Sequence, residues 1–396
     1  MLIETGSNER VLLSYLPTGG GHLSAARALQ VELTALGVES RLFNGLVPRS
    51  RFQKWVIEDG YRFVSNTHPS LWIAIYELSK HPALMSVNTW LMALLSARHV
   101  AAAIEEHGIT RIVNLHFLLN RSIQLAMRIL RARAKRSGAA FRVIPTVTVV
   151  TDPLTTHPVW FYRNRFPTVV FSERVKRFAV ERCGRAPGRI HLLPPILGAR
   201  FASPIPQEEI GPLRASRGFD LHRPLILVAG GGEGLVDGER YIAAIRRAKL
   251  DVQIAFVAGK NESLRLAAAA VARRYPGQTT VVYGFVDFMF DLMSMADLIV
   301  TKGGPATILE ALALGKPPIV TQYIYGQERG NKDFIVDNRV GYFARGTRRM
   351  VRLVRELLND PAKLDRIRAR IDALGLRHGT ADIARFALTI GRSRRA

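Results

Sequence analysis

The run Asp297-Leu-Ile-Val-Thr301-Lys302-Gly303-Gly304-Pro305-Ala306-Thr307-Ile308-Leu309-Glu310 constrains the fold more than any other stretch. It reads as a buried strand, a two-glycine turn and the first turns of a helix. Pro305 suits the first helical position, where a missing N–H costs nothing. Gly315 ends the helix and Pro317 blocks its continuation. Glu310 is the only charge in an otherwise small or apolar helix. A carboxylate buried alone is costly, so it needs a partner. Thr307 and Glu310 share one helix face. Glycines let a ligand approach the backbone, and free N–H groups at a helix start favour an anion. Two readings stay open here: a phosphate at 303–307 with a diol on Glu310, or an ordinary turn whose glutamate pairs with an arginine elsewhere.

The same pattern occurs twice more. Val11 to Tyr15 is a short strand followed by Pro17-Thr18-Gly19-Gly20-Gly21-His22 and a helix from about Ser24. Leu225 to Ala229 is followed by Gly230-Gly231-Gly232-Glu233-Gly234. Further strands are expected at 38–43, 111–115, 143–151, 168–171, 190–193, 252–258, 280–283 and 318–321, with helices between. That alternation predicts two α/β halves with parallel sheets and a ligand held between them. The prolines at 194, 195, 204 and 206 divide the halves. The expected division is 1–203, a linker at 204–222, a second domain at 223–375 and a basic tail at 376–396.

A length of 396 residues supports two domains, and 48% hydrophobic residues supply substantial cores. The single cysteine, Cys183, rules out an internal disulfide framework and fits a reducing cytosol. Met1 to Glu9 lacks the apolar core of a secretory leader. No uncharged apolar run reaches the roughly 18 residues of a membrane span. The net charge of +24 predicts a polyanionic partner, either nucleic acid or an anionic lipid surface. Residues 121–142 carry Arg121, Arg128, Arg131, Arg133, Lys135, Arg136 and Arg142 with no acid. No helix-turn-helix, zinc-finger or RNA-binding aromatic signature accompanies this charge, which disfavours nucleic acid. Residues 50–107 are expected to be helical and aromatic-rich, with Phe52, Trp55, Tyr61, Phe63, Trp72, Tyr76 and Trp90. The Trp90 segment is either a buried core helix or a surface that lies in a membrane interface.

Three further places invite chemistry. His22, at the end of the first glycine loop, is a candidate base or phosphate donor, or simply a loop histidine. Asp152 follows a β-branched strand at its carboxyl end, where ligands gather in open α/β sheets; it also suits a turn before Pro153. His157, Trp160 and Phe161 follow it. Tyr325-Gly326-Gln327-Glu328-Arg329-Gly330-Asn331 offers amides and a carboxylate for hydroxyl groups. No glycine loop has the G-x-G-x-x-G spacing with its ribose acid, and no G-x-x-x-x-G-K-[ST] loop is present. Hydride transfer and ATP hydrolysis are therefore disfavoured.

Six segments in this order are specific together: Thr18 to His22, Thr151-Asp152 with His157 to Trp160, Gly230 to Gly234, Gly284 to Met289, Thr301 to Glu310, and Gly326 to Asn331. In them the chain resembles the monogalactosyldiacylglycerol synthase family and its bacterial processive diacylglycerol glycosyltransferase relatives. It is more distantly similar to the peptidoglycan N-acetylglucosaminyltransferase that completes lipid II. The resemblance implies a GT-B fold: two Rossmann-like doubly wound domains with an interdomain cleft, and C-terminal helices that pack back on the first domain. It implies an inverting transfer of a hexose from a UDP-sugar to a lipid hydroxyl, diacylglycerol first, with no cofactor and no bound metal. His22 would be the base, with Asp152 as its orienting partner or substitute. Gly21 would lie over the sugar, and Gly231 and Gly232 would join the donor site. Phe285 would meet the uracil through its backbone. Gly304, Pro305 and Thr307 would hold the phosphates, and Glu310 the ribose. Gln327, Glu328 and Asn331 would contact the sugar. Trp90, His157, Trp160 and Phe161 would face acceptor or membrane. The enzyme would sit peripherally on the cytoplasmic face of an anionic membrane. Leu23, Val236, Asp237, Phe288 and Ala306 depart from the family pattern. The alternatives are an N-acetylglucosaminyltransferase on another lipid-linked acceptor, a UDP-sugar epimerase, and a non-catalytic nucleic-acid-binding α/β protein.

Overall fold

The computed structural model describes residues 9–18, 20–46, 60, 64 and 68–391. Gly19, Phe52, Trp55, Tyr61 and Phe63 lie outside them. The chain forms two units: residues 1–199 with 325–327 and 378–396, and residues 200–324 with 328–377.

The first unit is built on a parallel sheet ordered β2-β1-β3-β4-β5-β6. The strands are β1 (Arg10–Tyr15), β2 (Glu39–Asn44), β3 (Arg111–Asn114), β4 (Thr146–Val149), β5 (Thr168–Val170) and β6 (Ile190–Leu192). Side chains alternate across a strand. Val11 and Leu13 therefore pack with the helix Gly21–Ala35 and the last helix Thr380–Thr389, while Leu12 packs on the opposite face with the helices Pro82–Glu106 and Leu119–Ser137. A strand buried on both faces reads as an unbroken apolar run, as Val11-Leu12-Leu13 does. β1 lies between β2 and β3, so the order reverses at the β1/β3 junction.

The second unit has a parallel sheet ordered β12-β11-β10-β7-β8-β9. Its strands are β7 (Leu225–Ala229), β8 (Gln253–Val257), β9 (Thr280–Tyr283), β10 (Leu298–Lys302), β11 (Pro318–Gln322) and β12 (Tyr342–Phe343). Read in order of appearance this is 3-2-1-4-5-6, the dinucleotide-fold order, reversing between β7 and β10. Such a reversal leaves a crevice at the carboxyl ends of the two strands that flank it.

Two expectations need correcting. The 204–222 stretch is not a linker. It contains the helix Gln207–Ser216, and the buried Arg214 donates to the Met295 carbonyl (3.1 Å) and to Asp297 (2.8 Å). Phe219 joins the core of the second unit. Pro204 and Pro206 precede this helix instead of breaking a tether. The helix Pro82–Glu106 is also long and apolar enough to cross a membrane by length and composition, although half of its most apolar stretch is buried inside the protein. One face, with Met85, Met92, Ala93, Ala97 and Val100, is core. The other exposes Leu84, Val87, Trp90, Leu91, Leu94 and Leu95. One face of the Trp90 segment is thus core, and the other is an exposed apolar stripe.

Candidate functional site

In each unit the residues of interest gather at the strand-order reversal. In the first, the loops after β1 and β3 carry His22 and His116. His22 is the second residue of the helix Gly21–Ala35. Its Nδ1 lies 2.9 Å from the Leu115 carbonyl and 2.9 Å from the Thr151 hydroxyl. A carbonyl only accepts, so Nδ1 carries the proton and Nε2 is the basic nitrogen. Packed atoms desolvate the half-buried ring and push its pKa down to about 4, partly opposed by the Leu115 hydrogen bond. The positive end of the helix acts in the same direction. His22 is therefore a neutral base at physiological pH.

His116 is buried beside it, with ring centroids 4.7 Å apart. Its Nδ1 accepts from the Leu118 N–H (3.3 Å), so its Nε2 donates to the Thr18 hydroxyl (2.9 Å). Burial, and then His22, hold its pKa well below the usual histidine range. The pair thus adds no fixed positive charge. A buried network reaches from Ser14 through Asn114 and Asn120 to Thr148 and fixes the loop that carries His116.

Several predicted residues have other roles. The hydrogen-bond contacts at His22 Nδ1 come from Leu115 and Thr151. Asp152 accepts the Trp160 indole N–H at 2.8 Å. Trp160 and Phe161 are 0% and 2% exposed, so neither faces a lipid. Trp160 walls the His22–His116 pair, and Phe161 packs in the core with Val150 and Val170. Their Pro-Val-Trp turn folds inward because His157 caps it. His157 Nδ1 accepts the Val159 N–H (3.1 Å), and its Nε2 donates to the Ser79 hydroxyl (3.1 Å). That makes the buried His157 a structural clamp. Gly21 is exposed at the helix start. Trp90 is 37% exposed, with the Arg121 guanidinium 4.1 Å from its ring.

In the second unit, the loops after β7 and β10 form the crevice. Gly234 has φ +74°, and a Cβ there would sit 2.5 Å from the Ala258 carbonyl. The loop thus folds tightly on the end of β8, and the Gly232 carbonyl accepts the Lys260 N–H at 2.8 Å. Gly231 and Gly232 expose their backbone above it. After β10, the Gly303 N–H donates to the Gln322 carbonyl (2.7 Å), and the Gly303 carbonyl accepts from Asn331 Nδ2 (2.9 Å). Gly304 is the N-cap and Pro305 begins the helix Pro305–Ala313. The N–H groups of Ala306 and Thr307 then have no intrahelical acceptor.

Glu310 lies one turn further on. Among the described residues no cation or hydrogen-bond donor pairs with its carboxyl. Desolvation alone pushes its pKa up to about 7. The arginine partner that the sequence left open is not found among the described residues. Glu328 and Asn331, expected to present side chains to a sugar, are buried; Glu328 and the Asn331 amide nitrogen are engaged within the protein, while the Asn331 Oδ1 has no hydrogen-bond partner among the described residues. Glu328 pairs with Lys302 (3.2 Å) and accepts the Ile324 N–H (2.8 Å), while Asn331 holds Gly303. They shape the turn from beneath. Gln327 falls in the first unit, in a segment held by Trp72, whose indole donates to the Tyr325 carbonyl (3.1 Å). Phe285 follows β9 and is 63% exposed, with Lys260 Nζ 5.6 Å from its ring centroid.

His116 and Lys302 were not anticipated. The signal for His116 was available: it follows the strand Arg111–Asn114 at its carboxyl end, where the rule already applied to Asp152 holds equally.

Residues 225–374 match the glycosyltransferase family 28 C-terminal domain. The chain is 31% identical over 373 residues to a probable monogalactosyldiacylglycerol synthase of Nicotiana tabacum, covering 89% of this chain and 65% of that protein. It is 30% identical to the monogalactosyldiacylglycerol synthase of Spinacia oleracea, over 89% of this chain and 66% of that one. The chain thus spans just under two thirds of the length of these relatives. Among solved structures, MurG of Acinetobacter baumannii superposes with a TM-score of 0.63 at 13% identity, covering 97% of this chain and 100% of that one. The glycosyltransferase SnogD of Streptomyces nogalater gives a TM-score of 0.59 at 15% identity, over 96% and 99%. The fold is GT-B, and the two loop pairs at the sheet reversals are where such a fold presents ligands. On these grounds residues 225–374 are a glycosyltransferase family 28 C-terminal domain, and the chain as a whole is similar to monogalactosyldiacylglycerol synthases.

Proposed function

We propose that this protein transfers a hexose from a UDP-sugar to the hydroxyl of diacylglycerol, inverting the anomeric carbon, while peripherally bound to a membrane. The observation that carries the proposal is the unpaired Glu310 carboxyl, set one helical turn beyond a bare glycine turn. A desolvated carboxylate that lacks a protein partner is suited to the two hydroxyls of a ribose. The Ala306 and Thr307 amides and the helix dipole suit the diphosphate of the same ligand. They would also take up the charge that develops on UDP as it leaves.

His22 Nε2 is the base. The acceptor oxygen attacks the anomeric carbon from the face opposite the diphosphate. Its proton passes to Nε2, the carbon–oxygen bond to UDP breaks, and the electron pair leaves on the β-phosphate. A positioned base contributes about 10²–10⁴-fold. Leu115 and Thr151 orient it, and the neutral His116 adds no cation to oppose the proton's arrival.

The exposed apolar stripe from Leu84 to Leu95 and the basic helix Leu119–Ser137, linked by the Arg121–Trp90 contact, support attachment to an anionic lipid surface. Apolar insertion and surface charge reinforce each other there, each nearby Lys or Arg contributing about 1 kcal/mol. The cytoplasmic leaflet is the surface proposed.

The relatives' names make galactose and diacylglycerol the first pair to test. Incubation with UDP-galactose, UDP-glucose or UDP-N-acetylglucosamine and diacylglycerol, followed by mass analysis of the lipid, reads out donor and product together. A hexosyl-diacylglycerol that forms with the wild type and is lost in Glu310→Gln supports the reading. UDP-sugar consumption without any glycolipid overturns it.

A further inference from the structure

The second unit has another cavity, at the opposite edge of its sheet from the glycine turns. It encloses about 720 Å³. Asp297, just before β10, and the Leu314–Lys316 loop, just before β11, line it. Its floor holds two buried groups, Arg214 and Ser294. The guanidinium of Arg214 is committed to Met295 and Asp297. The Ser294 hydroxyl is buried without a hydrogen-bond partner. A buried hydroxyl in that state is costly, and such groups are normally satisfied by a ligand, ion or water.

The walls supply cations. Lys316 has no carboxylate of the described residues within ion-pair distance. Burial lowers its pKa to about 8, with Asp297 opposing that and Arg368 and Arg214 adding to it. It is therefore an ammonium at neutral pH without a contact ion pair among the described residues, Asp297 acting on it from further off. Arg368 stands beside it, tied only to the exposed Asp365 at 3.2 Å. The exposed Glu208 and Asp372 line the same cavity. Unpaired cation and hydroxyl call for an anion with several acceptor oxygens. Carboxylates beside them call for hydroxyl donors, and they repel an anionic membrane.

We infer that this cavity binds a soluble phosphate monoester of a sugar or polyol, its phosphate on Lys316, Arg368 and the Ser294 hydroxyl and its hydroxyls on Glu208 and Asp372. The occupant has a route to the glycine turn. The Leu314–Lys316 loop is the exit of the helix that carries Glu310, and Asp297 is the entry to the strand that ends at Lys302. The site is therefore placed to act as an effector site.

The test is calorimetric titration of the full chain with a hexose 1-phosphate and with inorganic phosphate, each with and without saturating UDP. Saturable binding of the ester is expected with and without UDP, its affinity shifted by UDP but not abolished. Lys316→Met should weaken both probes at least tenfold. Asp372→Asn should weaken the ester several-fold and leave inorganic phosphate unchanged or tighter. Should Lys316→Met not fold, Arg368→Gln carries the same expectation at threefold or more, with a melting temperature near that of the wild type. No binding, full displacement by UDP, or affinities indifferent to Lys316→Met and Arg368→Gln would each overturn the assignment.

Discussion

His22 directs its Nδ1–H at the Leu115 carbonyl, 2.9 Å away, and that hydrogen bond decides which ring nitrogen is basic. If Nε2 takes the acceptor proton, His22→Ala should lower kcat by about 10²–10⁴-fold. UDP affinity, which the proposal assigns to the second unit, should stay within a factor of two. Thr151→Val removes the second contact to Nδ1 while the carbonyl remains, so its loss should be about tenfold or less. Steady-state kinetics together with UDP titration separate these effects. Turnover that survives His22→Ala removes this histidine from the mechanism.

Burial holds three histidines neutral, lowering His22 and His157 to about 4 and His116 well below the usual histidine range. An unfolded histidine titrates near 6.5. Between these values the unfolded chain binds more protons, so stability rises with pH and is complete above about 6.5. The urea midpoint should therefore fall steadily as pH drops from about 6.5 towards 4. His157→Gln keeps an acceptor for Val159 and a donor for Ser79 but removes one titrating ring, so its profile should be flatter. A midpoint that does not move across this window contradicts the burial argument.

Glu310 titrates in the opposite sense. Its carboxyl is pushed up to about 7, so it is half protonated at neutral pH and gains acceptor capacity as pH rises. UDP affinity should increase as pH rises through 7 and level off near 8. Glu310→Gln should bind UDP roughly 10- to 100-fold more weakly, the value of about 1.5–3 kcal/mol for a hydrogen bond to a charged group. The ligand's own phosphate titrates near 6 in both proteins, so the difference between the two profiles isolates Glu310. Identical profiles would mean that the ribose goes elsewhere.

Much of this site was legible in the sequence, for a physical reason. Gly303-Gly304-Pro305 and an isolated glutamate in an apolar helix are local signals, and local signals survive folding. β7, β10 and the glycine loops fall where the alternating pattern puts them. What was not legible depends on side-chain direction. Trp160 and Phe161 look like a surface aromatic pair until His157 caps the turn and faces them inward. Glu328 looks like a sugar ligand until Lys302 and the Ile324 N–H claim it, and the Asn331 amide nitrogen is taken by the Gly303 carbonyl. The Gln207–Ser216 helix is hidden by its flanking prolines and by Pro212 within it, and it is secured by Arg214, whose partners Met295 and Asp297 lie more than 80 residues away.

The stripe Val87, Leu91 and Leu94 is exposed at 59%, 47% and 66%, so substitutions there should leave the fold intact. Burying each such side chain in a lipid interface is worth about 1.5–3 kcal/mol. Leu91→Glu with Leu94→Glu should therefore reduce binding to phosphatidylglycerol-containing vesicles by at least tenfold without shifting the melting temperature by more than a few degrees. Raising the salt should weaken the wild type as surface charge is screened. Sedimentation with vesicles measures both. Binding that ignores the double substitution places the membrane contact on another face.

The two glycines of the turn do different jobs, and two single substitutions tell them apart. A Cβ on Gly303 would lie 2.8 Å from the Tyr323 Cβ and 3.1 Å from the Glu328 Cβ, so Gly303→Ala must push the β11 exit away and lower the melting temperature. Gly304 has φ −62° and ψ 129°, which alanine adopts readily, and its nearest neighbours would be 3.7 Å from a Cβ. Gly304→Ala should therefore melt with the wild type. If a diphosphate approaches this backbone, the added methyl obstructs it, and UDP affinity should fall at least tenfold with no loss of stability. Unchanged affinity in Gly304→Ala would mean that the phosphates do not lie against the turn, and the helix Pro305–Ala313 would lose its role as their anchor.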